Sequence, residues 1–365
     1  MDSPVLVCCG LVTLDVVQVV DAVPGPNQKV VADGLDVRFG GPAANAAATA
    51  VALGVRTRLV TAIGSGPVAD LVRGGLRDAG VEVVDLAAGT AATPPVSTVL
   101  VTRGTGERAV VSVNGAGTPD LTVAVGAALA GGVPHAAGAR PGDAAVRPSD
   151  PVPGGPGVLA GATAVLVDGH HLGAAVPLAA AAHAAGVPVA LDGGSWKPGL
   201  GDLLAHVDHA VVSADFRLPD VPGPAHDVKA AATAPEAGRP AGPDPDALLA
   251  AVLARWPVRS AARSAGGGPL RYVERGGEVR EVPVEEVPAA EVVDTLGAGD
   301  VLHGALAASL ARGAGVAEAL AEGVRVATRS VRYPGALGWA EERGGDRLTR
   351  TDTAEGAART RTSGV

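Results

Sequence analysis

Asp294-Thr295-Leu296-Gly297-Ala298-Gly299-Asp300, running straight into Val301–Arg312, is the stretch on which the reading of this chain turns. Leu302, Leu306 and Leu310 recur at i, i+4 and i+8, and Gly313 follows, so the spacing predicts a helix that begins near Gly299. Gly297, Ala298 and Gly299 then sit at the helix N-terminus. Backbone N–H groups there lack intrahelical partners, and the helix dipole favours negative charge. Glycines let a phosphate come close to that backbone. Asp300 falls in the first turn beside this anion site. A carboxylate in that place can take the proton of a substrate hydroxyl while the hydroxyl oxygen attacks a phosphoryl group. Helix capping alone explains a bare Gly-x-Gly-Asp, since first-turn aspartates are common; the longer string is more specific.

Upstream, Gly40-Gly41-Pro42 opens an Ala-rich segment that runs to Leu53 and stops at Gly54. Proline just inside the start and glycine just past the end predict a second helix. Its two leading glycines allow a ligand near the backbone, and Asn45, on the first turn, offers both a donor and an acceptor to a polyol hydroxyl. Val5–Cys8 and Leu59–Ile63 read as buried strands, and Asp70–Asp78 as a helix. Val16–Val20 and Val30–Phe39 form a strand pair outside the main sheet, and Val96–Thr102 with Arg108–Val113 a hairpin. From there apolar runs at Val165–Val167, Val187–Leu191 and Ala210–Ser213 alternate with helical stretches such as Ala174–Ala185. This rhythm indicates a mainly parallel sheet covered on both faces. His135–Gly157 and Val221–Pro245 are Pro/Gly/Ala-rich without an apolar period and read as mobile surface insertions. The chain from 341 to 365 reads as a frayed tail, which leaves one domain over 1–340.

Composition sets limits around that frame. Hydrophobic residues are 47% of the 365 but aromatics only 2%, so Val, Leu and Ala must fill the core. Twenty-nine Lys+Arg against 38 Asp+Glu give a net charge of −9. An acidic chain without a basic run is a poor binder of nucleic acid or anionic membrane, although one backbone anion site suffices for a nucleotide. Cys8 and Cys9 are adjacent and staple nothing distant, which fits a reducing compartment. The N-terminus lacks a cationic leader pattern, and no run reaches the length of a membrane span, so the expected location is the cytoplasm.

The 294–300 string resembles, without a mismatch, the second signature of the ribokinase (PfkB-type) carbohydrate kinases, DTxGAGD. Gly40-Gly41-Pro42-Ala43-Ala44-Asn45 resembles their GGxxxN motif, and Asp15, five residues after Gly10, matches the position whose aspartate binds sugar hydroxyls. The resemblance runs from about Val5 to Trp339. It implies an α/β fold: a ribokinase-like three-layer α/β/α sandwich with a small β-lid from about 12–39 and 96–114. In many relatives that lid also forms the contact of a homodimer. It further implies that Asp15, Gly41 and Asn45 hold the substrate, that Gly297, Ala298 and Gly299 form the anion hole, and that Asp300 is the base. Asp294 then organises a cation site, with ATP and Mg²⁺, and a monovalent cation, as cofactors.

The nucleotide side departs from the pattern. Where relatives carry NxxE, this chain reads Ser213-Ala214-Asp215-Phe216. The Thr-x-Gly-x-x-Gly-like turn is here Ala262-Arg263-Ser264-Ala265-Gly266-Gly267-Gly268, without the threonine. Lys197, Ser213 and Gly266 are the nucleotide-side candidates that remain, each with an ordinary loop reading beside it. His170-His171, read as strand residues, point to opposite faces and do not chelate one metal. Asp168 and Asp192 close strands at the edge where α/β ligands bind. Three readings stay open: phosphorylation of a sugar or sugar-like alcohol, a nucleoside kinase of the same fold, and a lapsed, sugar-binding sensor. A dinucleotide dehydrogenase is disfavoured, because the Gly-x-Gly lies near the C-terminal end with no acidic residue placed as a βαβ unit needs.

Overall fold

The computed structural model describes residues 3–103, 108–113, 119–132, 157–219 and 245–341. The insertion at 135–157, apart from Gly157, the insertion at 221–245, apart from Pro245, and the tail beyond Glu341 lie outside the described residues.

The central strand, β1 (Val5–Cys9), is buried along its whole length, and its alternation divides it between two cores. Leu6 and Cys8 face one hydrophobic cluster, Val7 and Cys9 the other. β4 (Arg56–Thr61) pairs parallel on one side of β1, with β5 (Glu82–Asp85) beyond it. On the other side β8 (Ala164–Val167), β9 (Val189–Gly193), β10 (His209–Val212) and β11 (Ser260–Ala265) follow, all parallel. β12 (Gly268–Glu274) and β13 (Arg280–Val282) close that edge antiparallel, giving the order β13-β12-β11-β10-β9-β8-β1-β4-β5. Helices α1 (Pro42–Ala52), α7 (Ala298–Ala311) and α8 (Val316–Ser330) contribute to the first cluster. Helices α3 (Thr122–Leu129), α4 (Leu172–Ala184), α5 (Leu200–Leu204) and α6 (Pro245–Arg255) contribute to the second. The three-layer α/β/α architecture is therefore as expected. No helix among the described residues is long and apolar enough to cross a membrane.

A separate sheet of four strands, in the order β3-β2-β6-β7, stands where the lid was expected. It contains β2 (Thr13–Val20), β3 (Gly34–Gly40), β6 (Val96–Thr102) and β7 (Arg108–Ser112). β2 and β6 run parallel, and the outer pairs antiparallel. β3 starts at Gly34 rather than Val30, because pairing with β2 begins at Val19↔Gly34; Val30 and Val31 are left exposed. α2 (Pro67–Asp78) covers one end of the lid, with Gly75 against the Phe39 ring.

One helix contact sets the position of everything that follows. α1 is almost wholly alanine on its buried side, and it crosses α7 where α7 carries Gly304. A Cβ at 304 would lie 2.5 Å from the Ala46 carbonyl oxygen. Small residues on both helices thus let their N-terminal turns converge above the same sheet edge.

Candidate active site

Convergence of α1 and α7 joins two motifs that are 255 residues apart in sequence. Asn45 Nδ2 donates to Asp300 Oδ2 at 2.7 Å. α7 begins at Ala298, capped by Gly297 in the left-handed region (φ 77°) with no side-chain capping bond. Gly297 packs against Ala336, and space above Gly299 is open: a Cβ there would meet nothing within 4 Å. The first-turn N–H groups, open space and absent side-chain cap fit phosphate oxygens. Burial pushes the Asp300 carboxyl up to about 7, and the nearby Asp192 carboxylate adds to the rise; the Asn45 bond and His303 pull it back. A carboxyl in that range can be a base near neutral pH and still hold a proton once it has taken one.

Asp15 lies on lid strand β2, held by the Thr13 hydroxyl, which donates to Oδ1 at 2.7 Å. The two glycines of the GGPAAN segment serve protein atoms first. A Cβ on Gly40 would run into the Asp15 carboxylate, and one on Gly41 (φ 94°) would lie 2.6 Å from the Leu11 carbonyl oxygen. Asp15, Asp36, Arg38 and Phe39 from the lid face Asn45, Leu296 and the 334–338 turn across a cavity of about 400 Å³. This is a monosaccharide-scale pocket, and its lining residue Asn45 is bonded to Asp300.

Asp294 is committed to the backbone. Its Oδ1 accepts from Leu296 N and its Oδ2 from Gly335 N, both at 2.8 Å, and Arg38 Nη2 stands 4.0 Å from Oδ2. This clamp ties the loop that leads into α7 to the pocket wall. No group of three His, Cys, Asp or Glu side chains that could hold a metal ion occurs among the described residues.

Two lid arginines were not singled out in the sequence. Arg38 pairs with Asp36 at 3.0 Å and lies flat on Gly335, and Arg108 Nη1 donates to Thr295 Oγ1 at 2.7 Å. Both therefore link the lid to the loop that leads into α7. Polar residues alternating along short lid strands carry no sequence signal that separates such links from solvated charge.

The remaining candidates line the C-terminal edge of the main sheet. Asp168, just after β8, is buried and fully used: Leu11 N and Ala43 N donate to Oδ2 at 2.7 and 3.2 Å, and His170 N to Oδ1 at 2.8 Å. It thereby fixes both the β1–β2 turn and the start of α1. His170 and His171 are not strand residues, as the sequence had suggested, because β8 stops at Val167. His171 takes a left-handed backbone (φ 50°) as the N-cap of α4. With Lys197 they line a second cavity of about 370 Å³. Burial lowers the Lys197 ammonium from its ordinary range, against the pull of Asp168 and Asp192. Ser213 follows β10, and its hydroxyl donates to the Gly194 carbonyl at 2.8 Å. Phe216, at the position where relatives carry Glu, is core, packed edge-on against Trp196. The glycine segment beyond it is strand up to Ala265, so that Gly266 (φ 60°) sits in a tight β11–β12 hairpin turn.

The sequence profile described as pfkB family carbohydrate kinase matches residues 4–129 and 232–342. No curated protein shows a significant sequence match to this chain. Among solved structures, Arabidopsis thaliana ribokinase complexed with ribose and ATP superimposes with a TM-score of 0.65 at 20% identity, covering 93% of this chain and 96% of that one. Ribokinase from Thermotoga maritima gives 0.64 at 18% identity, over 92% and 95% of the two chains. Ribokinase from Cryptococcus neoformans in complex with ADP gives 0.59 at 20%, over 93% and 100%. At these identities the structural matches speak for the fold.

Proposed function

Because the chain belongs to the pfkB family of carbohydrate kinases, we propose that it transfers a phosphoryl group from ATP to a hydroxyl of a sugar or sugar-like alcohol, with Asp300 as general base. The observation that carries this reading is the 2.7 Å bond between Asn45 and Asp300, which brings the polyol-binding motif and the base to one point. The lid pocket holds the alcohol, with Asp15 and Asn45 as hydrogen-bonding partners and Gly41 beside them. Asp300 accepts the hydroxyl proton as the oxygen attacks. Backbone N–H groups of Gly297, Ala298 and Gly299 stabilise charge on the transferring group. Lys197, Ser213 and Gly266 lie along the sheet edge on which the rest of the nucleotide would rest. Mg²⁺ bound with ATP would supply further charge neutralisation at the transferring group. The lid excludes water, so that transfer outcompetes hydrolysis.

We also propose a homodimer through the lid. Strand register puts Asp15, Asp36 and Arg38 on the face that lines the pocket, so Leu35, Val37, Val96 and Val111 share the opposite face. These four are exposed, and a second copy of the same face would cover them.

ADP release from Mg-ATP across pentoses, hexoses, ketoses and nucleosides, with Asp300→Asn as control, tests the activity. Turnover with a sugar that the variant abolishes supports the reading. Turnover confined to nucleosides moves the substrate class, and sugar binding by calorimetry without ADP release identifies a sensor.

A further inference from the structure

His303 lies one turn beyond Asp300 on α7 and is only 4% exposed, and the reaction proposed above gives it nothing to do. Its ring meets acceptors at both nitrogens. Nδ1 is 2.7 Å from the Gly299 carbonyl and 3.3 Å from Asp192 Oδ2, and Nε2 is 3.2 Å from the Val211 carbonyl. A neutral imidazole has one N–H, so it can satisfy one of those carbonyls and must turn a lone pair toward the other. An imidazolium donates from both. The counter-charge it needs is at hand in Asp192, buried at the end of β9.

We propose that His303 is a positioning residue: with Asp192 it forms a buried, charge-compensated pair beneath the anion hole, which braces the Gly299 carbonyl, ties the first turn of α7 to β10, and offsets part of the Asp192 charge at the base Asp300. The inference rests on reading Asp300 as the base.

On balance burial holds His303 below and Asp192 well above their ordinary ranges, each toward its neutral form. The two carbonyls oppose this by rewarding a proton on each ring nitrogen. Moving the proton from His303 Nδ1 to Asp192 leaves the pair neutral as well; in the charged form Asp192 acts on Asp300 more strongly than His303 does, so the pair offsets part of the Asp192 charge. The other charged or titratable groups nearby come from several elements. Asp168 at the end of β8 raises Asp300 and Asp192, and Lys197 after β9 counteracts it at Asp192. Cys8 on β1 faces the same core, and burial holds its thiol protonated. α1 offers the neutral Asn45, and α8 meets α7 with Gly323 against Leu302 and Leu306.

Removing His303 alone leaves two carboxylates, Asp192 and Asp300, to share one buried site, and the second to ionise does so at higher pH. The test needs no substrate. In protein labelled with ¹³C at aspartate carboxyls, the resonance lost in Asp300→Asn identifies Asp300, and its titration is followed in His303→Leu, His303→Asn, Asp192→Asn and the His303→Leu/Asp192→Asn double variant. We expect the midpoint to rise by about one pH unit in His303→Leu and to return to the wild-type value or below it in the double variant. His303→Asn can still donate to the Gly299 carbonyl without carrying charge. It should keep the fold if His303→Leu does not, and show the same rise. A wild-type midpoint in folded His303→Asn overturns the proposal. Full turnover by Asp300→Asn would instead remove the base role, and the carboxyl titration would still report whether the pair acts on that site.

Discussion

Asp300 shows how environment sets the chemistry of one side chain. Its carboxyl is drawn from an ordinary 3.8 up to about 7, first by burial and then by Asp192. A base must be ionised to act, so kcat/KM should rise with pH through a limb near 7 and flatten above it. Asn45→Ala removes the hydrogen bond that favours the charged form. The limb should then move to higher pH, as a pH–rate series would show; an unmoved limb would disconnect Asn45 from the base. Asp300→Asn should lower kcat by about three orders of magnitude or more while leaving sugar affinity within a few-fold. The same raised value has a cost in stability. Below about pH 4 the carboxyl is protonated whether folded or unfolded. As pH climbs from there to about 7, the unfolded chain ionises and the folded one does not, so folding weakens through that window and stays weaker above it. Asp300→Asn should therefore be more stable than wild type at pH 8, by about 1–3 kcal/mol allowing for partial solvent access, and no more stable at pH 4. Equal melting temperatures at both pH values would contradict the raised carboxyl. In the sequence, the place of Asp300 was legible because a string of seven residues fixes it. Its partners Asp192 and His303 were not legible as partners, since their contact depends on three elements meeting at one sheet edge.

At the scale of elements, the site depends on how closely α1 and α7 approach. Gly304→Ala puts a methyl group against the Ala46 carbonyl oxygen and the Thr49 side chain, and backbone cannot yield as a flexible side chain does. A loss of about 1–3 kcal/mol is expected, visible as a melting temperature lower by several degrees. The shift also separates Asn45 from Asp300, so kcat should fall although neither residue is changed. Loss of stability without any loss of kcat would show that the 2.7 Å bond tolerates the displacement. The lid is open to test in the same way. Leu35→Glu or Val111→Lys on the outward face should convert a dimer to a monomer in analytical ultracentrifugation with the pocket residues untouched, whereas a wild-type monomer at micromolar concentration would end the homodimer proposal. Helices with Pro at the start and Gly after the end, such as α1, were legible. So were strands buried on both faces, such as β1. The antiparallel edge of β12 and β13 was not, because strands such as Arg280–Val282 are short and mix exposed charge with few buried residues. The histidines after β8 were misread as strand because nothing apolar or periodic marks where a four-residue strand stops.

For the whole molecule, the question is whether the two cores melt together, as the expected single domain requires. β1 offers an internal reporter, since its two adjacent cysteines face opposite layers: Cys8 looks toward α1 and α7, Cys9 toward α3 and α4. Both are fully buried, and burial first, then the Asp168 charge, pushes both thiols far above their ordinary range. Only a thiolate reacts, so neither side chain should be modified in the folded state. Reaction with a thiol reagent then measures opening of whichever layer covers that cysteine. Cys9→Ala leaves Cys8 as the reporter of the α1/α7 side, and Cys8→Ala leaves Cys9 for the other. With a shared sheet and no helix layer able to leave without uncovering β1, both variants should give the same opening free energy and the same denaturant dependence, each equal to that of global unfolding. A tenfold faster reaction at one cysteine under native conditions corresponds to about 1.4 kcal/mol less protection. It would mean that one layer detaches while the other holds, and that the four-stranded sheet, the N-terminus of α7 and Asp300, all carried on the α1/α7 side, keep or lose their alignment independently of the far side of the sheet.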